Sequence, residues 1–385
     1  MKLCFDVHLP PSKSESHRAL MMAAYGGFVP IIQNLSESHD TKVLLEALHK
    51  AQTGVPEIDI ADCGTAARFM TTYLACHDGD WLLTGTARMK QRPMEPLVGA
   101  LVALGAEIQY VEQPGFLPLR IHGKSLEGGK VSVDITQSSQ FASSLLLAAP
   151  MFPKGLEVEL LGELRSLPYL DMTLALMCHF GAEAKRDGRT AVVKAKPYQS
   201  ASLTVSSDWS AASYWYEMAA FCEECEIKLH GLDGASMGSR TSSLQGDSII
   251  VDWMESLGVC TTVLDDCLVL TKTAFERKPL NFDFSDCPDL YPTMAATCAG
   301  LQVEAHFTGL ANLRLKESDR VMAMQWELAK LGSHPLHFCA HGDHRVVMAL
   351  APLALVYGPV TFDCPEVVEK SYPHFWDDAV FLRFE

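Results

Sequence analysis

One kind of segment recurs along the chain and constrains its fold more than any other feature. Each copy starts with polar or acidic residues and then runs into apolar, alanine-rich sequence, which predicts a buried helix with a polar N-terminus. The six copies are Ser14–Tyr25, Gly64–Cys76, Ser138–Ala149, Asp208–Phe221, Pro288–Ala299 and Asp343–Val356. They indicate a repeat architecture of six α/β units, three in each of two domains.

A second pattern supports the α/β class. Short alternating segments such as Lys130–Asp134 and Cys267–Leu270 predict strands between the helices. Further helices are predicted to end at an apolar residue followed by glycine, because glycine adopts the left-handed conformation that closes a helix. These glycines are Gly105, Gly181, Gly258 and Gly332.

Composition limits the classes of partner. The chain has 385 residues, enough for two domains of roughly 150–200 residues each. Its 31 Lys and Arg against 47 Asp and Glu give a net charge of −16, so nucleic acid and anionic membranes would be repelled. The 12 cysteines form no secreted disulfide pattern, and the N-terminus lacks the apolar core of a signal peptide. We therefore expect a cytoplasmic protein.

Cations nevertheless gather near the starts of the recurrent helices, as in Lys13–Arg18, Gly64–Arg68 and Lys316–Arg320. Helix N-termini offer free N–H groups and a partial positive charge. Several of them aimed at one cleft would hold a small, multiply anionic substrate. Each motif taken singly also has an ordinary explanation, such as an N-capping serine or a solvated loop charge.

The stretch from Lys316 to Arg320 is the most specific. We predict that these two cations lie one helical turn apart with Glu317 beside both. They could hold a carboxylate or phosphate while Glu317 transfers a proton. A solvated face of salt bridges is the alternative.

A metal site is not expected. His334, His337, His341 and His344 lie close to Cys339 in the sequence, but their spacing matches no common zinc pattern. The chain also lacks the glycine-rich motifs of phosphate-binding loops and dinucleotide-binding folds.

Taken together and in order, these motifs resemble the enolpyruvyl transferase family, from Pro11 to Pro373. The resemblance implies an α/β fold of two similar domains, each of three βαβαββ-type units, joined by a double-crossover hinge. It implies one lobe of residues 12–205 and another of residues 1–11 with 206–385. The active site would lie in the cleft between them.

The closest resemblance is to family members that act on shikimate 3-phosphate. They transfer the enolpyruvyl group of phosphoenolpyruvate to its 5-hydroxyl and release phosphate, by addition and elimination. This reaction belongs to the shikimate pathway, which supplies chorismate and the aromatic amino acids. It implies two small-molecule substrates, no metal, no organic cofactor and a monomer.

Matching positions carry the family's roles to this chain. Asp289 is the candidate base for the 5-hydroxyl and Glu317 the candidate for proton transfer at the enolpyruvyl carbon, with Lys13 and His344 completing the catalytic set. The residues expected to bind shikimate 3-phosphate are Ser14, Arg18, Ser138, Ser139, Ser166, Tyr169, Asn312 and Lys316, and Gln140 would contact both substrates. The residues expected to bind phosphoenolpyruvate are Lys13, Gly64, Arg92, Arg320, Arg345 and Lys370.

Two alternatives remain at this stage. A transferase acting on UDP-N-acetylglucosamine is disfavoured because Arg88–Pro93 lacks the reactive cysteine of that branch. A non-catalytic anion-binding paralogue would not need Asp289 and Glu317 together. The chain departs from the family pattern at Pro11, Asp62 and Phe69, which leaves open its sensitivity to glyphosate, an inhibitor of the phosphoenolpyruvate site.

Overall fold

Strands and helices alternate along the chain in the computed structural model, which describes residues 2–233, 243–264 and 267–382. The strands are β1 (Lys2–His8), β2 (Ile31–Gln33), β3 (Glu57–Asp59), β4 (Gly79–Thr84), β5 (Glu107–Tyr110), β6 (Leu119–Gly123), β7 (Gly129–Asp134), β8 (Leu156–Leu161), β9 (Ala184–Asp187), β10 (Thr190–Val193), β11 (Ser202–Thr204), β12 (Glu224–His230), β13 (Val259–Leu264), β14 (Cys267–Lys272), β15 (Leu280–Asp283), β16 (Ala305–Thr308), β17 (Leu336–Phe338) and β18 (Val360–Phe362). The helices are α1 (Lys13–Gly26), α2 (His39–Gln52), α3 (Gly64–Ala75), α4 (Glu95–Ala103), α5 (Gln140–Ala148), α6 (Leu167–His179), α7 (Trp209–Phe221), α8 (Ile250–Glu255), α9 (Tyr291–Leu301), α10 (Arg320–Leu328), α11 (His344–Leu350), α12 (Ala354–Tyr357) and α13 (Phe375–Asp378).

The chain forms two compact units. The N-terminal unit comprises Lys13–Leu35 and Asp40–Val205, and the C-terminal unit comprises Met1–Ser12, Ser36–His39 and Ser206–Glu385. Each unit has its own apolar core. The lobe boundaries implied by the family resemblance stay a prediction.

In the N-terminal unit one topology occurs twice. β3, β4, β6 and β5 form a sheet in that order, with β3 parallel to β4 and the last two strands antiparallel. β7, β8, β10 and β9 repeat this pattern. In both cases a helix follows each of the first two strands, which is a βαβαββ arrangement. A third, two-stranded sheet pairs β11 with β2 in parallel.

The C-terminal unit also contains three sheets among its described residues. β1, β12, β14 and β13 form the largest, with β1 at its edge and parallel to β12. β15 pairs with β16 and β17 with β18, both in parallel. These two sheets are consistent with a repeat unit that has two strands in its sheet instead of four.

The recurrent helices predicted from sequence are confirmed as α1, α3, α5, α7, α9 and α11. The predicted helix Asp343–Val356 is not continuous, because α11 ends at Leu350 and a 3-10 turn separates it from α12. The aspartates before α7 and α11 act as caps: Asp208 accepts hydrogen bonds from the backbone N–H groups of Ser210 and Ala211, and Asp343 accepts one from that of Arg345. The four helix-ending glycines all have positive φ, from 82° to 96°, as the apolar-glycine pattern predicts. Among the described helices, none has the length and apolarity needed to cross a bilayer.

One acid is buried in the core of the C-terminal unit. Glu217 lies in the middle of α7, where Trp215, Tyr216 and Met218 are also fully buried. Neither of its carboxylate oxygens has a hydrogen-bond partner within the described part of the chain. Burial raises the pKa of Glu217 well above its ordinary value, so the side chain is held in its neutral form.

We expect Glu217→Met to stabilise the C-terminal unit by about 1–3 kcal/mol at pH 8, because methionine fills a similar volume without a buried carboxyl group. As pH rises above the ordinary carboxyl range, the unfolded chain loses this proton while the folded chain keeps it, so wild-type stability falls. The variant should lose less stability between pH 5 and pH 8.

Urea unfolding followed by tryptophan fluorescence measures this difference, since five of the six tryptophans lie in the C-terminal unit. The exposed Glu255 in the same unit provides the control, and Glu255→Met should change stability by less than about 0.5 kcal/mol. If the free energy of unfolding depended equally on pH in the wild type and in Glu217→Met, the assignment of Glu217 as a buried neutral acid would be contradicted.

Candidate active site

In the N-terminal unit, Arg18 projects from α1 and is almost completely buried, with 2% of its surface exposed. Its Nε donates to Thr173 Oγ1 at 2.7 Å, and its terminal nitrogens donate to the carbonyl oxygens of Ser14 at 2.9 Å and Tyr169 at 3.1 Å. All three acceptors are neutral. Burial lowers the pKa of Arg18 to about 10, against the opposing influence of Tyr169 and Glu15. A buried cation held by neutral oxygens favours an anionic ligand.

The start of α1 adds a second cation. Lys13 Nζ lies 2.8 Å from Asp40 Oδ2, and the aspartate is buried near the start of α2. Lys13 is therefore held in place before any ligand arrives. Ser14 follows Lys13 on the same helix, and its spacing of four residues from Arg18 places both side chains on one helical face.

Gly64 at the start of α3 faces two more guanidinium groups. A Cβ atom added there would lie 2.6 Å from Arg92 Nη1 and 2.8 Å from Arg68 Nη1. Arg68 donates to the carbonyl oxygens of Gly64 at 2.9 Å and Pro93 at 3.1 Å. The absent side chain of Gly64 lets both arginines approach the helix N-terminus.

Hydroxyl and amide groups join α1, α3, α5 and α6. Thr173 Oγ1, which accepts from Arg18, donates to Ser143 Oγ at 3.2 Å. Gln140 Nε2 donates to Thr65 Oγ1 at 3.0 Å. Phe69, at a position where the chain departs from the family pattern, lies under the Arg18 guanidinium at 5.7 Å. These contacts place the starts of the helices side by side.

The predicted serines lie at helix starts as expected. Ser139 and Ser166 are buried N-cap residues of α5 and α6, and neither uses its side chain to cap its helix. Ser138 Oγ accepts from the backbone N–H of Gln140 at 3.2 Å. Ser166 has a left-handed backbone, with φ of 55°. Such strain in a non-glycine residue is often found at ligand sites.

In the C-terminal unit, Arg320 is the first residue of α10 and only 1% of its surface is exposed. Its guanidinium contacts three carboxylates: Asp343 Oδ2 at 2.8 Å, Asp289 Oδ1 at 2.8 Å and Glu317 Oε2 at 2.9 Å. Burial lowers the pKa of Arg320, but the neighbouring acids outweigh burial and raise it above its ordinary value. Arg320 is thus the charge around which this cluster is organised.

Asp289 in turn contacts three cations. Besides Arg320, its oxygens lie 2.9 Å from Arg345 Nη2 and 3.3 Å from Lys316 Nζ. Burial raises the pKa of Asp289, but Arg345, Lys316 and Arg320 outweigh burial and hold the pKa well below its ordinary value. The carboxylate is therefore ionised and strongly held.

The predicted helical spacing of Lys316 and Arg320 is wrong. Lys316 has an extended backbone at the end of a 3-10 helix, Ala311–Leu315, and α10 begins only at Arg320. The two cations still meet, because both contact Asp289. Tertiary structure supplies the proximity that we had assigned to one helical turn.

The other predicted residues of this unit are also buried. His344 begins α11, and its Nδ1 lies 3.7 Å from Asp343 Oδ1. Asn312 lies in the 3-10 helix before Lys316, and Lys370 ends the 3-10 helix Pro365–Lys370. The remaining histidines have separate contacts, since His341 meets Glu327 and His337 meets Thr361.

Sequence reasoning missed two carboxylates, Asp343 within this cluster and Asp247 beside it. Asp343 was interpreted only as a helix start, yet its oxygens accept from Arg320 and from the backbone N–H of Arg345. Asp247 is buried beside Ser210 and interacts with Asp289 and Arg345; burial, then Asp289, raises its pKa to about 7. Asp343 directly precedes His344 and Arg345, both predicted site residues, and this position could have identified it, whereas no local pattern marks Asp247.

The two clusters have different chemical capacities. The N-terminal cluster (Lys13, Ser14, Arg18, Gly64, Arg68, Arg92 and Gln140) offers cations and hydroxyl groups, which suit phosphate binding. The C-terminal cluster (Asp289, Lys316, Glu317, Arg320, Asp343, His344 and Arg345) combines cations with ionisable acids. It can hold an anion and also exchange protons.

Comparison with known proteins identifies the family. The sequence model of EPSP synthase (3-phosphoshikimate 1-carboxyvinyltransferase) matches residues 51–379. A 3-phosphoshikimate 1-carboxyvinyltransferase from Bacteroides fragilis is 41% identical over 97% of this chain and 93% of its own length. The chain belongs to the EPSP synthase family. A relative of the same name from Syntrophobacter fumaroxidans is 34% identical over 98% of this chain and 97% of its own.

Solved structures show the same fold as this EPSP synthase family member. EPSP synthase from Acinetobacter baumannii aligns with a TM-score of 0.72 at 21% identity, covering 99% of this chain and 96% of that one. An enolpyruvyl transferase from Streptomyces tendae aligns with a TM-score of 0.67 at 15% identity, covering 99% and 95%. The family resemblance and the fold class predicted from sequence are confirmed.

Gly64→Ala should weaken phosphate binding about tenfold or more without unfolding the protein. The added methyl group would displace the guanidinium heads of Arg92 and Arg68, and a charge-assisted hydrogen bond contributes about 1.5–3 kcal/mol. Titration calorimetry with inorganic phosphate measures the change. Gly99→Ala is the matched control, because Gly99 lies in α4 with open space around it. Equal phosphate affinity in Gly64→Ala and wild type would refute this role for the glycine.

Proposed function

We propose that this protein transfers the enolpyruvyl group of phosphoenolpyruvate to the 5-hydroxyl of shikimate 3-phosphate and releases phosphate. This is the reaction named by its family and by relatives that match nearly its whole length. The product leads to chorismate and the aromatic amino acids. The observation that supports catalysis most strongly is that Asp289 and Glu317 share the buried guanidinium of Arg320.

Asp289 is the proposed base for the 5-hydroxyl. In the free protein its three cationic neighbours make it a weak base. Phosphoenolpyruvate brings a carboxylate that Arg320 and Arg345 can bind in bidentate fashion. That anion would offset their charge and raise the pKa of Asp289. The base would thus become active only when the substrate is bound.

Glu317 is the proposed acid at the enolpyruvyl carbon. In the addition step, the hydroxyl oxygen bonds to C2 of phosphoenolpyruvate, Asp289 takes the hydroxyl proton, and Glu317 protonates C3. In the elimination step, Glu317 recovers a proton from C3, the bond between C2 and the phosphate oxygen breaks, and the proton held by Asp289 leaves with phosphate. Both side chains return to their starting states.

The N-terminal cluster is proposed to hold the phosphates. Arg18, Ser14, Ser166 and Tyr169 would bind shikimate 3-phosphate with Ser138 and Ser139, supported by the buried positive charge of Arg18. Lys13, Gly64 and Arg92 would bind the phosphate of phosphoenolpyruvate. Gln140 would contact both substrates. Lys316 and Asn312 would complete the shikimate 3-phosphate site, and Lys370 and His344 the phosphoenolpyruvate site.

The proposed reaction needs groups from both clusters. We propose that the lobes, 12–205 and 1–11 with 206–385, close on one pair of substrates and exclude water during the reaction. We further propose a cytoplasmic monomer that requires no cofactor.

Incubation with phosphoenolpyruvate and shikimate 3-phosphate should release phosphate in step with the loss of both substrates, because the transfer frees one phosphate per enolpyruvyl group. Phosphate release is the measurement. UDP-N-acetylglucosamine in place of shikimate 3-phosphate should give none. Phosphate release with UDP-N-acetylglucosamine but not with shikimate 3-phosphate would show that the UDP-sugar is the acceptor. No phosphate release with either acceptor would identify a non-catalytic paralogue.

Lys316→Ala and Glu317→Gln should affect different kinetic constants. Lys316→Ala removes a cation proposed to bind the substrate, so KM for shikimate 3-phosphate should rise about tenfold or more. Glu317→Gln keeps the shape but removes the proton, so kcat should fall by about 10²–10⁴ with little change in KM. Steady-state kinetics separates the two effects.

Lys124→Ala serves as the control, because Lys124 forms an exposed ion pair with Glu107 away from both clusters. It should leave both constants unchanged. If Glu317→Gln kept the wild-type kcat, the proposed role of Glu317 in proton transfer would be wrong.

A further inference from the structure

The exposed face of the largest C-terminal sheet carries a group of side chains that neither cluster uses. β1 and β12 run parallel, and His8 is the register partner of His230. Asp6 precedes His8 by two residues and therefore points to the same face. One donor atom from each of Asp6, His8 and His230 lies within 4.8 Å of the others.

The contacts among these three residues leave donor atoms available. His230 Nε2 lies 2.7 Å from Asp6 Oδ1, so one imidazole is already held by the carboxylate. The His8 ring stacks on His230 with its centroid 4.6 Å away. Within the described part of the chain, the His8 nitrogens have no hydrogen bond or ion pair besides this stacking. His8 is exposed and can rotate to direct a lone pair at a shared ligand.

We propose that Asp6, His8 and His230 form a binding site for a divalent transition-metal ion such as Zn²⁺, Co²⁺ or Ni²⁺. Two imidazoles and one carboxylate are a common ligand set for these ions, with water in the remaining positions. Mg²⁺ and Ca²⁺ prefer oxygen ligands and fit this set poorly.

The distances are compatible with such an ion. Zn–N and Zn–O bonds of about 2.0–2.2 Å place the donors of a tetrahedral site about 3.4 Å apart. His230 Nε2 and Asp6 Oδ1 are 2.7 Å apart and the three donor atoms all lie within 4.8 Å of one another, so side-chain rotations could bring them to this spacing. Lys228, the register partner of Asp6, is a cation on the same face, and its Nζ lies 3.9 Å from Glu226 Oε1.

The ion would act on stability rather than on the transfer reaction. It would join β1 to β12, two strands separated in the chain by the whole N-terminal unit. A ligand that binds only the folded state raises the unfolding midpoint, and the stabilisation grows with the logarithm of the ligand concentration relative to Kd. The effect of the ion on the unfolding midpoint can therefore be tested independently of the proposed enzymatic activity.

Untagged, chelator-treated protein should bind one equivalent of Ni²⁺ in titration calorimetry, and a hundredfold excess over Kd should raise the unfolding midpoint by roughly 5–10 °C. His8→Ala and His230→Gln should each lower the affinity at least about tenfold, and Asp6→Asn should lower it to a smaller extent. The substituted residues lie on the exposed face, and circular dichroism without metal checks that each variant is folded.

His122→Ala is the matched control. His122 forms a similar exposed pair with Asp80 at 2.8 Å, but the register places no second imidazole beside it. Retained binding in His122→Ala, together with loss in His8→Ala and His230→Gln, supports the site. Absence of binding to the wild type overturns it, as does unchanged affinity in either histidine variant. A thiolate charge-transfer band with Co²⁺ would assign the ion to a cysteine and also overturn it.

Discussion

The buried guanidinium of Arg320 is the interaction on which the C-terminal cluster depends. Burying a cation with only 1% exposure is costly, and Asp343, Asp289 and Glu317 offset that cost from three separate segments. The same charge fixes the positions of two residues proposed to move protons. The contacts of Arg320 therefore serve both the folding of this unit and its proposed chemistry. Asp343, one of the three acids, also caps α11.

The cations of the N-terminal cluster have different surroundings. Arg18 is buried among neutral oxygens, and Gly64 admits two guanidinium groups to a helix N-terminus. Positive charge there is only partly compensated by acids such as Asp40. This unit is suited to holding anions, while the other can also exchange protons with them. The division explains why a strongly acidic protein can bind substrates that carry several negative charges.

Local sequence predicted the parts of this structure that are determined locally. Capping residues and alanine-rich runs located the six recurrent helices, and glycines located helix ends, because both signals act within one turn of backbone. The ordered motifs identified the family and pointed to most residues of the two clusters, though not to Arg68 or Asp343. Pairings across the fold were not predictable: Lys13 with Asp40, Arg18 with Thr173 and Asp289 with Arg345 depend on how distant segments pack. Lys316 shows how far local sequence can predict the site. We predicted correctly that Lys316 lies near Arg320, but wrongly that one helix holds both residues.

The position of β1 has a consequence for how the protein is made. This strand precedes the N-terminal unit in the chain, yet its hydrogen-bonding partner β12 follows that unit. On the ribosome, β1 emerges before the N-terminal unit and must wait, without its partner strand, until that whole unit and then β12 have been synthesised. The N-terminal unit can complete its sheets during this interval. Translation order thus favours folding of that unit first, and a strand that is made before the unit is incorporated into its sheet after it.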